Sequence, residues 1–300
     1  MTAPSQRRAI QRESNVSSAV LSVEPVSGFI GAEVDLDLSR PFDEETREAL
    51  NDALDDHLVL FFRDQKLDPI SLKRVTEAFA PLMRVPYIDP SPEDPDIIAV
   101  LKEASEAKIA NFGGDWHSDF SFLDAPPGGS VLYALEIPPY GGDTLWASQA
   151  AAYERLSDSL KSEIEGKRAI HIGAPYGAKS PPKFNDKLST SIGMTRGDPD
   201  ADRERLHPIV RTHPRSGRKG LFVNPIYTVG IEGMEPDDAR HLLSRLCRHA
   251  TRPDLTCRFR WAKGSVAIWD NRMTMHYALN DYDGQRRLLW RTTFAGERPI

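Results

Sequence analysis

The sequence contains little cysteine. Only Cys247 and Cys257 occur among its 300 residues, the first in a helix-like stretch and the second in a strand-like stretch. A disulfide framework and a thiolate metal site both need several cysteines at close spacing, so the sequence disfavours both. We expect the two thiols to be buried and inert in a reducing cytoplasm.

Long apolar runs are also missing. No stretch reaches the ~18 consecutive apolar residues that a membrane span needs, so no membrane partner is expected. The N-terminal sequence MTAPSQRRAIQRESNVSSAV has no apolar core like that of a signal peptide. We expect residues 1–20 to form a flexible tail.

Positive charge is not in excess either. The net charge of −6 argues against a nucleic-acid partner, but it allows a local basic pocket for a small anion. The chain has no glycine-rich turn between a strand and a helix, and its strands and helices do not alternate regularly. Both absences disfavour a doubly wound nucleotide-binding fold.

The patterns that are present predict short strands with helices between them. Strand-like runs rich in Val, Leu, Phe, Tyr and Trp occur at 58–62, 130–137, 219–224, 257–261, 265–271 and 287–296. Apolar residues follow helical spacing at 43–58, 71–79, 150–166 and 236–250. This arrangement predicts a mainly β fold with flanking helices, a sandwich or jelly roll, in a single domain over residues 21–300.

One long segment shows no regular period. Residues 173–206 are polar and rich in Pro, Gly, Lys and Asp. Loops of this length are uncommon in compact domains and are usually functional or mobile. The segment is therefore either a flexible insertion or a lid over a site.

The stretch WHSDFSF at 116–122 carries an imidazole and a carboxylate two residues apart. On a strand, residues i and i+2 point to the same face, so His117 and Asp119 would project together. A second histidine would complete the two-His, one-carboxylate set of non-haem Fe(II) oxygenases. His276, in WDNRMTMH after the apolar run SVAIW, is the candidate. An H-x-D triplet alone is common and carries little weight.

The other six histidines occupy positions that favour structural roles. These positions are helix ends, strand ends and extended segments before proline. The residues are His57, His171, His207, His213, His241 and His249.

Two arginines follow His276 in the strand-like run RRLLWR. With a period of two, Arg287 and Arg291 share one face of that strand. Buried guanidinium groups are costly unless they meet anions, and arginine binds carboxylates through a two-pronged fork. The two groups are either partners of internal Asp or Glu residues or receptors for small acidic molecules, and both alternatives remain open.

In order and spacing, these motifs resemble those of the TauD/TfdA family of Fe(II)- and 2-oxoglutarate-dependent dioxygenases. The resemblance rests on His117-x-Asp119, GGDT at 141–144, WDNRMTMH ending at His276, and the two arginines. It extends over most of the chain, and the stretch HPIVRTHPRSGRKGLFVN at 207–224 is similar to the aryloxyalkanoate branch of the family.

The resemblance implies a distorted double-stranded β-helix, which is a cupin-like jelly roll. It implies that His117, Asp119 and His276 bind Fe(II), and that Thr144 and Arg287 hold the distal carboxylate of 2-oxoglutarate. It also implies that O2 is consumed and that succinate and CO2 are released.

The resemblance further implies that Arg291 binds the anionic group of the prime substrate. Where a sulfonate-oxidising relative has a histidine and an asparagine, this chain has Val85 and Gly113, and Tyr87 lies beside Val85 in RVPY. This departure disfavours taurine and suits a larger or aromatic acid. We therefore expect an aryloxyalkanoate first and a sulfonate or alkyl sulfate as the alternative, with C–O or C–S cleavage after hydroxylation.

Two other classes of protein remain as alternatives. A zinc hydrolase on a cupin-like barrel would need a general base beside a metal-bound water, and no HExxH-type motif is present. A metal-free binding protein with a jelly-roll fold would not need all three ligands. The two free thiols indicate a cytoplasmic protein, and the resemblance implies a homo-oligomer, either a dimer or a tetramer.

Overall fold

The computed structural model describes residues 21–107, 109–179 and 191–300, so the tail expected at 1–20 lies outside the described residues. Fifteen strands occur in these ranges: β1 Ser22–Pro25, β2 Ala32–Asp35, β3 Val59–Phe62, β4 Ile98–Lys102, β5 Gly129–Glu136, β6 Thr144–Ser148, β7 Arg168–His171, β8 Arg205–Pro208, β9 Val210–Thr212, β10 Lys219–Leu221, β11 Thr228–Ile231, β12 Thr256–Phe259, β13 Val266–Asp270, β14 Thr274–Ala278 and β15 Arg287–Phe294. The α-helices there are α1 Glu44–His57, α2 Pro69–Glu77, α3 Gln149–Glu154, α4 Asp158–Ile164 and α5 Pro236–Ala250. Two short 3-10 helices cover Pro199–Asp202 and Pro253–Leu255.

Two sheets form the core of the fold. The large sheet has seven strands in the order β1-β2-β3-β13-β5-β15-β4, and the small sheet has the order β12-β6-β14. All neighbours are antiparallel except β2 and β3. Smaller sheets, β11-β7-β8 and β9-β10, complete the described part of the chain.

The central strands of the large sheet, β3, β13 and β5, are buried on both faces. In β3, Leu60 and Phe62 pack with the apolar faces of α1 and α2, whereas Val59 and Phe61 pack toward the small sheet. A strand covered on both sides has no polar face, so it reads as a continuous apolar run rather than an alternating one. This explains the pattern LVLFF at 58–62.

The outer face of the small sheet is covered by the other three helices. Ala147 of β6 and Met275 of β14 share one core with Ala151 of α3, Leu160 of α4 and Leu246 of α5. The layers are therefore helices, large sheet, small sheet and helices. This is the jelly roll with flanking helices that the sequence predicts.

Outside the site, the sequence prediction was wrong in two elements. The helical pattern at 150–166 is two helices, because the chain breaks after Glu154 and restarts at Ser157, whose hydroxyl accepts a hydrogen bond from Leu160 N at 3.2 Å. The strand expected at 219–224 ends at Leu221. Phe222 to Asn224 leave it to form a turn held by the Asn224 side chain, which accepts from Tyr227 N at 2.9 Å.

The segment 173–206 is partly structured. Residues 180–190 lie outside the described residues, but Thr195 N donates to Tyr87 O at 2.9 Å and Asp89 N donates to Gly193 O at 2.9 Å. Tyr176 stacks on Tyr87 with ring centroids 5.2 Å apart. Both described ends of the segment therefore pack on residues 87–89.

None of the helices in the described ranges has the length and apolar character required to cross a membrane.

Candidate active site

Two distant histidines meet at the end of the small sheet. His276 is the third residue of β14, which pairs with β6. The backbone of His117 joins β14 at this point: His117 N donates to His276 O at 3.1 Å, and His276 N donates to His117 O at 2.8 Å. The two imidazole centroids are 4.2 Å apart.

Asp119 joins the two histidines, but not from a strand. The strand expected at 116–122 was wrong, because His117 forms only an isolated bridge and the chain turns at Asp119, with a left-handed Phe120 at φ 47°. The Asp119 Oδ1 atom lies 3.6 Å from His117 Nε2 and 3.8 Å from His276 Nε2. The expected convergence of His117 and Asp119 is therefore present, although a turn produces it.

Trp116, Ser118 and Phe120, which alternate with His117 and Asp119 in the sequence, have separate packing partners. The Ser118 hydroxyl donates to Thr274 O at 2.7 Å, and Trp116 packs on Tyr277. Phe120 enters a cluster of aromatic rings that also contains Phe122, Tyr176 and Tyr227. This cluster forms a wall next to the carboxylate.

The protonation of the three groups suits a divalent cation. The Nδ1–H of His117 donates to Asp115 O at 2.7 Å, which leaves its Nε2 lone pair directed to the other two residues. Burial, with a smaller effect of His117, lowers the pKa of His276 to about 3. Burial raises the pKa of Asp119, but the Arg291 guanidinium and the two imidazoles outweigh it and hold that pKa well below its usual range.

These three groups have the composition of a two-His, one-carboxylate iron site. They are buried, and their ligand atoms lie within 4.8 Å of one another. Such a set binds one face of a metal ion and leaves the other positions open for oxygen ligands. The residues present therefore fit Fe(II).

Arg287 is a buried cation beside the three groups. Its guanidinium Nε and Nη2 atoms are buried and have no hydrogen-bond partner among the described residues, and burial lowers its pKa. Its nearest aromatic neighbours are Trp261 and Tyr282, whose ring centroids lie 5.9 and 6.0 Å away. A buried guanidinium without an anion is costly, so this site is suited to an acidic ligand.

Thr144 lines the same cavity as Arg287. It is the first residue of β6, and its hydroxyl oxygen accepts a hydrogen bond from Trp261 Nε1 at 2.9 Å. Because that bond uses the oxygen as an acceptor, the hydroxyl hydrogen can donate to a carboxylate. The structure thus brings together the two residues expected to hold 2-oxoglutarate.

Arg291 is already paired inside the protein. Its Nη2 lies 2.8 Å from Asp119 Oδ2 and donates to Ser130 Oγ at 3.0 Å. Its Nε is buried without a hydrogen-bond partner in the described ranges. Of the two alternatives for the arginines, an internal carboxylate therefore applies to Arg291.

A second, apolar cavity adjoins the first. Phe112, Gly113 and His117 line both cavities, and Pro175, Met194 and Ile226 line the second only. Its volume is about 100 Å³. The two cavities thus meet beside His117.

The three residues expected near the substrate differ in position. Gly113 lines both cavities, and a Cβ on it would lie 3.3 Å from His117 Cε1. Val85 and Tyr87 pack in the aromatic cluster around Tyr176 and line neither cavity. They support the wall beside Phe120 rather than the surface of the pocket.

A second cluster of ligand-type residues lies outside this site, at Asp55, His213 and Asp270. The Asp270 carboxylate accepts from His213 Nε2 at 2.9 Å and from Arg272 Nε at 3.0 Å, while Asp55 pairs with Arg215. Two guanidinium groups already neutralise the carboxylates, so the cluster is unsuited to a metal cation. His213 has the structural role expected for it.

Sequence reasoning missed three residues of the site, which are Ser130, Trp261 and Asn271. Ser130 contacts Arg291, Trp261 orients Thr144, and Asn271 contacts the backbone of Asp119. Only Asn271 had a signal in the sequence, because an amide at the end of the apolar run SVAIWD must find buried partners.

The chain is similar to known dioxygenases over most of its length. Residues 22–293 match the family model described as "Taurine catabolism dioxygenase TauD, TfdA family". An alpha-ketoglutarate-dependent sulfate ester dioxygenase of Pseudomonas putida is 38% identical over 93% of this chain and 91% of its own. An alkylsulfatase of Acinetobacter baylyi is 36% identical over 92% and 86% of the two chains. A crystal structure of a taurine dioxygenase from Burkholderia xenovorans superposes with a TM-score of 0.77 at 33% identity, covering 94% and 91% of the chains.

The aryloxyalkanoate expectation is supported less well than its alternative. An alpha-ketoglutarate-dependent 2,4-dichlorophenoxyacetate dioxygenase of Cupriavidus pinatubonensis is 32% identical over 88% of this chain and 94% of its own, below the two sulfate-ester relatives. The zinc hydrolase and the metal-free binding protein have no support from these matches. The chain belongs to the TauD/TfdA family and is a non-haem iron dioxygenase that uses Fe(II), 2-oxoglutarate and O2 to oxidise a small organic substrate.

Proposed function

We propose that this enzyme oxidises alkyl sulfate esters at the carbon next to the ester oxygen. The observation that carries the proposal is the junction of two cavities beside His117, one containing buried arginines and the other apolar. An alkyl sulfate has a matching anionic head and apolar tail. The greater similarity to the sulfate ester dioxygenase and the alkylsulfatase supports the same substrate class.

In this proposal, the metal is held by His117 Nε2, Asp119 Oδ1 and His276 Nε2. The distal carboxylate of 2-oxoglutarate is held by the Arg287 guanidinium and the Thr144 hydroxyl, which lie in one cavity. When bound, Fe(II) with 2-oxoglutarate and O2 supplies the oxidant that hydroxylates the substrate, with release of succinate and CO2.

Arg291 binds the sulfate group through the N–H that its contacts with Asp119 and Ser130 leave free. The same arginine keeps the Asp119 carboxylate charged. Anchoring the anionic head holds the adjacent CH2 group near His117, and such placement accounts for a large share of catalysis in enzymes of this kind.

The alkyl chain lies in the apolar cavity formed by Phe112, Gly113, Pro175, Met194 and Ile226. Hydroxylation converts R–CH2–OSO3⁻ into R–CH(OH)–OSO3⁻. Loss of the hydroxyl proton with cleavage of the C–O bond to sulfate then gives the aldehyde R–CHO and hydrogen sulfate. One oxygen atom of O2 enters the aldehyde and the other enters succinate, so atoms and electrons balance.

The test is a comparison of three anions with purified enzyme, Fe(II), ascorbate and 2-oxoglutarate. Hexyl sulfate, hexanesulfonate and phenoxyacetate differ in the head group and in the group that cleavage releases. We expect the highest kcat/KM for hexyl sulfate, with equal amounts of hexanal, sulfate and succinate. A higher kcat/KM for phenoxyacetate with phenol release, or for hexanesulfonate with sulfite release, would contradict the proposal.

Three further expectations remain part of this proposal. The described ends of 173–206 act as a lid, since Tyr176 and Met194 lie over the aromatic wall and the apolar cavity. Limited proteolysis with and without 2-oxoglutarate and substrate checks this, and protection is the expected result.

A dimer or tetramer is expected in light scattering. A cytoplasmic location fits the two free thiols, whose pKa values burial raises to about 12.

A further inference from the structure

Asn271 holds the peptide backbone of Asp119 from both sides. Its side-chain Oδ1 accepts a hydrogen bond from Asp119 N at 2.6 Å, and its Nδ2 donates to Asp119 O at 2.9 Å. The same Nδ2 donates to Pro127 O at 3.1 Å, and Asn271 N donates to Gly128 O at 2.9 Å. The side chain is completely buried, so water cannot replace these bonds.

The backbone held in this way is strained at the next residue. Phe120 is a bulky residue in the left-handed region, at φ 47°. Such a conformation persists only where the surrounding structure enforces it. Asn271 provides that constraint on the N-terminal side, and the turn bond from Leu123 N to Phe120 O at 3.0 Å provides it on the C-terminal side.

Asn271 also connects two parts of the chain that are far apart in sequence. It lies in the turn between β13 and β14, five residues before His276 on β14. A rigid turn of this kind fixes the position of the Asp119 carboxylate relative to His276. The two backbone hydrogen bonds between His117 and His276 fix the position of His117 relative to His276.

We propose that Asn271 is a positioning residue for the metal site, which sets the separation of the Asp119 carboxylate from the two imidazoles by clamping the Asp119 peptide. This inference rests on the proposed metal ligands but not on the proposed substrate. The hydrogen bonds of its side chain described above all go to backbone atoms, those of Asp119 and Pro127, so Asn271 acts on the site through Asp119. Its effect is on how well the three ligand atoms are preorganised before the metal binds.

The test measures metal affinity rather than activity. Apoprotein is titrated anaerobically with Co(II), and the visible absorption of the bound ion gives the Kd. Asn271→Ala removes all three side-chain hydrogen bonds, and Asn271→Ser leaves a hydroxyl that can replace one of them. Loss of a group that orients a metal ligand typically weakens metal binding by about 10- to 100-fold. We expect that loss for Asn271→Ala and a smaller one for Asn271→Ser.

Asn51→Ala is the matched control. Asn51 Nδ2 also donates to two backbone carbonyl groups, those of Arg47 at 2.8 Å and Ala78 at 3.1 Å, but it joins α1 to the end of α2. Its substitution should lower the unfolding temperature and leave the Co(II) Kd unchanged.

Two results would overturn the inference. One is a wild-type Kd in a folded Asn271→Ala or Asn271→Ser protein, and the other is an equal loss of affinity in Asn51→Ala, which would make the effect one of general stability. If Asn271→Ala does not fold, Asn271→Ser decides. Failure of wild-type protein to bind Co(II) would instead remove the metal-site assignment itself, so the two failures are distinguishable.

Discussion

At the scale of single residues, two consecutive arginines at the start of β15 have opposite environments. Arg287, the first residue of β15, is buried and its Nε and Nη2 lack hydrogen-bond partners among the described residues, whereas Arg286, the residue before it, is half-buried and pairs with Glu103 and Glu136. Strand alternation places them on opposite faces. The dipeptide RR alone does not show which of the two arginines faces the cavity. The two-residue period that Arg287 shares with Arg291 does show it.

Arg287→Ala is expected to raise the KM for 2-oxoglutarate by an order of magnitude or more. Removing one partner of a buried, hydrogen-bonded charge pair costs about 2–5 kcal/mol. The KM is obtained from succinate formation at saturating substrate. Arg286→Ala removes the same charge one residue away and should leave this KM within about twofold, because surface ion pairs contribute little. Equal KM values for the two variants would exclude Arg287 from the 2-oxoglutarate site.

At the scale of elements, a loop and a strand determine the metal site together. The loop 111–115 lies along β14, where Ala278 N donates to Gly113 O at 2.9 Å. Gly113 has φ +76°, and a Cβ on it would lie 3.3 Å from His117 Cε1, which is tighter than ordinary van der Waals contact. The loop therefore needs glycine for both its backbone conformation and its closeness to a metal ligand.

Gly113→Ala and Gly233→Ala form a matched pair of substitutions. Both glycines have a positive φ, at +76° and +70°, so both variants should lose about 1 kcal/mol of unfolding free energy. Only at position 113 would the new methyl group press on His117, since nothing lies within 4 Å of a Cβ at position 233. We expect kcat/KM to fall on the order of tenfold in Gly113→Ala alone. Equal losses of kcat/KM would indicate that backbone strain, and not the contact, is responsible.

At the scale of the whole molecule, the layers bury several titratable groups. His171 of β7 is fully buried, its Nδ1 lies 3.1 Å from Ser121 Oγ, and burial lowers its pKa to about 3. The unfolded chain takes up a proton there below about pH 6.5, while the folded form does not until about pH 3. This histidine therefore contributes full stability above pH 6.5 and loses it as the pH falls from 6.5 toward 3.

His171→Asn should reduce the pH dependence of the unfolding free energy. When the unfolded state binds one more proton than the folded state, the unfolding free energy changes by about 1.4 kcal/mol per pH unit. Asparagine binds no proton, so the variant loses this contribution to the slope. Asparagine keeps a polar group near the Ser121 hydroxyl. Urea unfolding of apoprotein between pH 6 and 4 measures the slope, with His241→Asn at an exposed helix position as the control. An unchanged slope in His171→Asn would show that the imidazole is protonated in the folded state.

The sequence by itself determined the fold class and the chemical class of the site. Runs apolar on both faces, such as LVLFF, predict buried strands because strand geometry alone fixes which side chains share a face. The three metal-ligand candidates and the two arginines were visible because their residue types are rare together in one order. These are properties of residue type and local spacing, so they can be recognised without knowing which residues contact each other in the folded chain.

Only the tertiary structure decided how these residues meet. Asp119 reaches the histidines through a turn with a left-handed Phe120, and that conformation depends on Asn271, about 150 residues away in the chain. The pairing of Arg291 with Asp119, and the buried, unpartnered Nε and Nη2 of Arg287, likewise depend on which strands lie side by side. Contacts between distant segments carry no local period, and for that reason the geometry of the site could not be read from the sequence.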